Sequence, residues 1–151
     1  MQIYGSAGNH NVLVLPGNSL PMALKVSKIE LQVRFGDLDA LGHVNNAAYL
    51  SFFELGRIDF FMKFLTGFHS REVSFVVAHA EIDFRIPIYF EDRPSITTEI
   101  EKVGNTSISF IHKILRQGDE ALLSSGKTVI VWVDKNGKKS PIPEKIKTLL
   151  L

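Results

Sequence analysis

Residues 35–65 read F-G-D-L-D-A-L-G-H-V-N-N-A-A-Y-L-S-F-F-E-L-G-R-I-D-F-F-M-K-F-L, and this stretch decides the fold. It opens as a loop holding two carboxylates, a histidine and two asparagines, then becomes a run from Ala47 to Leu65 in which 13 of 19 residues are apolar. The run predicts a helix about 28 Å long at 1.5 Å per residue. Its apolar side chains leave no broad polar face on a helical wheel, and a helix apolar nearly all round must be wrapped by other elements. Glu54 and Arg57, three apart, read as a partly buried ion pair that orients the helix. Gly56 costs about 1 kcal/mol against Ala in mid-helix, which points to close approach of a neighbouring backbone. The junction sets a carboxylate beside a helix N-terminus, where N–H groups lack acceptors and the dipole is positive.

The flanks supply the wrapping. Before the loop, Ile29, Leu31, Val33 and Phe35 alternate with Glu30, Gln32 and Arg34, the pattern of a half-buried strand over 29–35. Residues 1–22, rich in Gly, Asn, Ser and Pro, are expected to be a flexible leader to a domain over 23–151, with an edge strand at 11–15 as the alternative. After the helix come four strand-like segments, 73–87, 95–103, 107–116 and 121–134. Gly104-Asn105 and Gln117-Gly118-Asp119 mark turns between them, and Asn136-Gly137 ends the last. Ser140-Pro-Ile-Pro-Glu opens a short C-terminal helix. Strands joined by tight turns pair antiparallel, so the expected class is α+β, a five-stranded antiparallel sheet curved about one long helix.

At 151 residues and 45% apolar content the chain makes one domain with a real core. Its 17 basic and 16 acidic residues include no basic block of the kind a nucleic acid would require. The absence of cysteine excludes disulfides, thiolate metal sites and a cysteine nucleophile. No apolar run is long enough to span a bilayer, and residues 1–8 lack the basic start of a signal peptide, so a soluble, cytoplasmic protein is expected.

The loop residues admit plain readings as well as chemical ones. Asp37 and Asp39 could be turn or capping groups, His43 a structural hydrogen-bonder, and Asn45 or Asn46 the helix N-cap. Asp39 stands out because it precedes Gly42-His43 and a helix N-terminus faces whatever it attacks. Gly42 is available for a backbone angle other residues avoid. Metal-ligand and calcium-loop spacings are absent. Gly126-Lys127-Thr128 is not a phosphate loop, because the required first glycine falls at Ala121 and the segment reads as strand.

The motif F-G-D-L-D-A-L-G-H-V-N-N-A-A-Y-L, followed by F-x-E-x-x-R, resembles the hotdog-fold acyl-CoA thioesterases of the 4-hydroxybenzoyl-CoA thioesterase type. The match continues through A-E-I-D-F-R-I-P-I-Y-F-E-D and E-K-V-G-N-T-S-I-S-F to P-I-P-E, about residues 28–145. The resemblance implies a homodimer paired edge to edge with sites between the subunits, and commonly a homotetramer. It implies Asp39 as catalytic carboxylate, Asp37 as the less critical acid, and the Asn46 N–H as the donor that polarises the thioester carbonyl. Thr106 and Ser107 fall where a strand turn passes the pantetheine arm. H-V-N-N also occurs in plant acyl carrier protein thioesterases, which carry Asn two residues before the His, where this chain has Leu41.

Hydrolysis of an acyl-CoA or acyl carrier protein thioester is coherent with these residues, and it requires no cofactor beyond the coenzyme A of the substrate. A thiol with pKa ~8.5 leaves without a strong acid, so the protein must supply a base or nucleophile and a donor for the oxyanion. Asp39 and Asn46 fill those roles, with His43 a third catalytic candidate; Gly42 and Asn45 are expected to help bind the substrate, and Tyr49, Phe52 and Phe53 to line an apolar groove for the acyl chain. Two rivals are an enoyl-thioester hydratase or dehydratase and a non-catalytic acyl-thioester binder. The first wants a histidine followed by an acidic-Pro pair, whereas His43 precedes Val-Asn-Asn; the second is disfavoured by an intact Asp39.

Overall fold

The computed structural model describes residues 25–65 and 74–151. In order, the elements are β1 (Val26–Glu30), a 3-10 turn (Phe35–Asp37), α1 (Ala48–Phe64), β2 (Phe75–Phe84), β3 (Pro94–Val103), β4 (Ser107–Arg116), β5 (Leu122–Trp132) and α2 (Glu144–Leu150). The five strands form one antiparallel sheet in the order β1-β3-β4-β5-β2, curved about α1 as expected. The expected leader, the alternative strand at 11–15 and the expected start of β2 at Val73 lie outside the described residues.

The first strand differs from its expected bounds. Pairing with β3 covers Val26 to Glu30, and one further bond, from the Leu31 N–H to the Pro94 carbonyl at 2.8 Å, ends it. Leu31 and Val33 are buried as the alternation requires, but Phe35 is 83% exposed. Arg34 and Asp37 cause the break. The Asp37 carboxylate accepts from the Arg34 backbone N–H at 2.8 Å and from its guanidinium at 2.8 Å, closing a turn that rotates Phe35 outward. That local bonding outcompetes the ladder. The Arg34 hydrogen bond also holds the Asp37 carboxyl below its ordinary range.

The inner side of α1 packs on the sheet through two clusters. Phe52 and Phe53 join Ile88, Ile96, Ile114 and Leu123; Phe60 and Phe61 join Ile108, Phe110, Ile130 and the C-terminal Ile142 and Leu150. A Cβ on Gly56 would collide with the Thr98 hydroxyl and press on Ile96 of β3, so the close approach predicted there is to side chains and not to a backbone. Likewise Gly126 of β5 leaves room for the Phe53 ring, which stacks on His112 at 4.5 Å. The wrapping is one-sided: Leu55, Ile58 and Met62 on α1 are 48%, 48% and 63% exposed.

A polar thread crosses this core. His112 lies between Thr98 and Thr128, its Nδ1 3.0 Å from one hydroxyl and its Nε2 2.9 Å from the other. The Arg57 Nη1 donates to the Thr128 hydroxyl at 3.2 Å. Arg57 is buried and Glu54 is exposed, and no ion pair joins them, which corrects the expected helix pair. Burial, with the Arg57 charge as a second cause, pushes His112 down to about 3, so it is neutral in the folded protein. Among the described residues no helix is long and apolar enough to cross a membrane.

Candidate active site

The 39–43 loop is tied to itself and to the sheet. The Asp39 N–H donates to the His43 carbonyl at 2.9 Å and the Gly42 N–H to the Asp39 carbonyl at 3.1 Å. Gly42 has a φ of +84°, the left-handed angle for which a glycine was expected. The Val44 N–H donates to the Ile88 carbonyl at 2.8 Å, and His43 forms a backbone bridge with Tyr89, so the loop leans on the chain leaving β2. The Asn45 N–H donates to the Asp37 carbonyl at 2.8 Å. Asp37 is thus scaffolding on both sides, its carboxylate on Arg34 and its carbonyl on Asn45.

Within that frame the Asp39 carboxylate has two partners. Oδ1 accepts from the Leu41 N–H at 2.8 Å, and Oδ2 lies 3.2 Å from His43 Nδ1. Both side chains are only partly exposed, 24% for Asp39 and 29% for His43. The sequence left the role of His43 open; the structure makes it the carboxylate's neighbour. Sequence spacing did not reveal this, because the two meet only when Gly42 turns the chain back.

The helix entry differs in detail from expectation. Ala47 occupies the N-cap position of α1, and neither asparagine does. Asn45 still serves the terminus, its Oδ1 accepting from the Ala47 N–H at 2.9 Å and its carbonyl from the Ala48 N–H at 2.9 Å. These bonds absorb two of the free donors at the helix start. The Asn46 N–H has no acceptor among the described residues, and Asn46 is exposed. An unengaged donor therefore faces out beside His43.

His43, Val44, Asn46 and Tyr49 form one wall of a cavity of about 250 Å³, and Phe84 to Pro87 form the other. Tyr49 meets Phe84 edge-on at 4.9 Å. Phe52 and Phe53 do not line it: they are 2% and 0% exposed and belong to the core, which corrects the expected three-residue groove. The opposite wall was missed by sequence reasoning, although the D-F-R-I-P segment that forms it carried part of the resemblance. Thr106 and Ser107 stand elsewhere. Ser107 begins β4 opposite Val131, at the end of the sheet where β2 starts, whereas Asp39 and His43 sit where β2 ends. One chain does not bring them together. Among the described residues no group of three or more His, Asp or Glu side chains could hold a metal ion.

Comparison with known proteins matches this architecture. The model of the thioesterase-like superfamily matches residues 33–150. A thioesterase from Thermus thermophilus, solved in complex with coenzyme A and Zn, is 34% identical with a TM-score of 0.73, covering 82% of this chain and 95% of that one. The acyl-CoA thioesterase YbgC of Haemophilus influenzae is 29% identical over 123 residues, 78% of this chain and 88% of the relative. The chloroplastic acyl-acyl carrier protein thioesterase ATL3 of Arabidopsis thaliana is 26% identical over 126 residues, and the chain spans 65% of that relative's length. With the five-stranded sheet, the central helix and the 33–150 match in agreement, the chain belongs to the hotdog-fold, thioesterase-like superfamily.

Proposed function

We propose that the protein hydrolyses acyl thioesters of coenzyme A, or of an acyl carrier protein, to free acid and thiol. One observation carries the reading: His43, paired with Asp39, and Asn46, whose N–H is unengaged among the described residues, line one cavity together with Tyr49 and Phe84. The acyl group lies against Tyr49 and Phe84, with its carbonyl oxygen toward the Asn46 N–H. Asp39 takes a proton from water as the water oxygen bonds to the carbonyl carbon, or attacks that carbon itself to give an anhydride that water then opens. In either course the C–S bond breaks, the thiolate takes up a proton, and the acid departs. The Asn46 donor and the positive end of α1 stabilise the oxyanion; one such donor is typically worth ~3 kcal/mol. His43 holds the Asp39 carboxylate at its working angle.

The site is shared between two copies in this proposal. β2 is an edge strand, and Val76, Val77 and Phe84 on it are about half exposed at 50%, 47% and 49%. A long apolar edge invites a second strand. Antiparallel pairing of β2 with its copy about the His79–Ala80 midpoint sets the start of one strand beside the end of the other. The partner subunit's Thr106 and Ser107 then come to the Asp39 end, where they flank the pantetheine arm. The outward row of Leu55 and Met62 on α1 is the surface through which two such dimers assemble into a tetramer.

The test is Asp39→Asn, assayed by thiol release from acyl-CoAs of graded length. At least a hundredfold loss of turnover with unchanged folding is expected. Full activity in that variant would remove Asp39 from the mechanism, and binding of acyl-CoA with no thiol release by the wild-type protein would favour the non-catalytic reading.

A further inference from the structure

Arg57 presents a guanidinium with little to neutralise it. Its side chain is buried at 6% exposure, and the Thr128 hydroxyl is its one hydrogen-bond acceptor among the described residues. No carboxylate among them forms an ion pair with it, although a buried charge is ordinarily paired. Burial lowers the pKa of Arg57, and the Glu54 charge on the same helix offsets that only in part. Glu54, one turn earlier on α1, is exposed and makes no hydrogen bond or ion pair among the described residues. Among the described residues, one side of α1 therefore carries a buried cation and an exposed anion, neither of them in an ion pair.

That side faces the sheet edge. Thr128, which Arg57 touches, pairs with Ala80 of β2, so both lie on the helix side of the sheet at the middle of the edge strand. Ile82 and Phe84 continue this row, opposite Gly126 and Ser124. Leu50 and Ile58, 46% and 48% exposed, share one stripe of α1 with Glu54 and Arg57. A second chain pairing through β2 about its midpoint brings an identical stripe against this one. Under a two-fold axis, whatever residue 54 of one copy does to residue 57 of the other is repeated in reverse.

We propose that Glu54 of each copy pairs with Arg57 of the other, forming two reciprocal ion pairs that fix the dimer and complete the buried guanidinium. The partner on this stripe is a second copy of this chain, selected by its own charge complementarity. The inference rests on the edge-to-edge pairing proposed above and adds the contact that specifies it.

The experiment co-expresses two full-length variants, Glu54→Lys and Arg57→Glu, and weighs the products by native mass spectrometry. Within either homodimer both cross-subunit contacts are repulsive; within the heterodimer both are attractive. The expected result is a heterodimer at least tenfold over the level set by random mixing. Random mixing of the variants, with the wild type still dimeric, overturns the Glu54–Arg57 pairing alone. A wild type that remains monomeric overturns the pairing and the shared site together, leaving the thiol-release assay to judge hydrolysis. Should the Arg57→Glu chain not fold, the dimer dissociation constants of Glu54→Gln, Arg57→Gln and the double variant decide the matter. Reciprocal pairing predicts that each single change weakens dimerisation about tenfold and that the double change is no worse than either. Independent effects that multiply overturn it.

Discussion

His43 Nδ1 lies 3.2 Å from Asp39 Oδ2, across a loop in which the Asp39 N–H also donates to the His43 carbonyl at 2.9 Å. Backbone and side chain thus bind the same two residues twice. In the proposed mechanism His43 acts through Asp39, and substitution of the imidazole frees one carboxylate oxygen while leaving the other on the Leu41 N–H. His43→Ala should lower kcat, by less than Asp39→Asn does, with KM nearly unchanged. Steady-state thiol-release kinetics on the two variants would check the ranking; equal losses would give His43 a role in the proton transfer itself.

The role given to Asn46 belongs to its backbone. Asn46→Ala keeps the N–H and should keep most activity. Asn46→Pro removes it and should reduce kcat about a hundredfold, the ~3 kcal/mol scale of one oxyanion donor. Circular dichroism on both variants separates this loss from a disturbed helix start.

Neutral, buried His112 ties stability to pH. Its pKa falls from 6.5 in the unfolded chain to about 3 in the folded one, so between these values the unfolded state binds the extra proton. Stability should therefore be fully present above pH ~6.5 and decline as pH falls, by at most ~1.4 kcal/mol per unit from this residue. Denaturant titrations at several pH values would measure the slope, and His112→Gln should flatten it while lowering stability through the lost bonds to the Thr98 and Thr128 hydroxyls.

Gly126 leaves no room for a side chain. A Cβ there would meet the Phe53 ring and the Glu81 carbonyl of β2 at once. Gly126→Ala should destabilise the fold by about 1–3 kcal/mol, the ordinary cost of overpacking. Because Glu81 contributes backbone, relief by a rotamer change alone is not available. The midpoint of a urea titration would report the loss.

The strand patterns gave four of the five strands within a few residues, and β4 to the residue, because it lies between the glycine-bearing turns at Gly104 and Gly118. It misjudged the end of β1, since nothing in the apolar pattern weighs Arg34 bonding Asp37 against another rung of the ladder. For α1 the apolar count announced burial all round but not that Leu55, Ile58 and Met62 would stand about half exposed or more. The Glu54–Arg57 spacing suggested an ion pair that the helix does not form, because Arg57 turns inward to Thr128. At the site, loop and helix start were legible from the carboxylates and asparagines. The wall from Phe84 to Pro87 was not, because its contribution depends on β2 turning back beneath the loop.

The strand order β1-β3-β4-β5-β2 also orders events in time. β3, β4 and β5 follow one another through two short turns, so their pairing closes small loops and costs the chain little entropy. β1 must return across α1 to pair with β3, and β2 must pair with β5 across the whole length of β3 and β4, so both flank a meander that can already exist. Changes in the turns at 104–105 and 117–120 should accordingly slow folding, while changes along β2 should mainly hasten unfolding. On the proposed dimer, the strand that pairs with a second copy is then expected to be among the last to join its own sheet and the first to leave it.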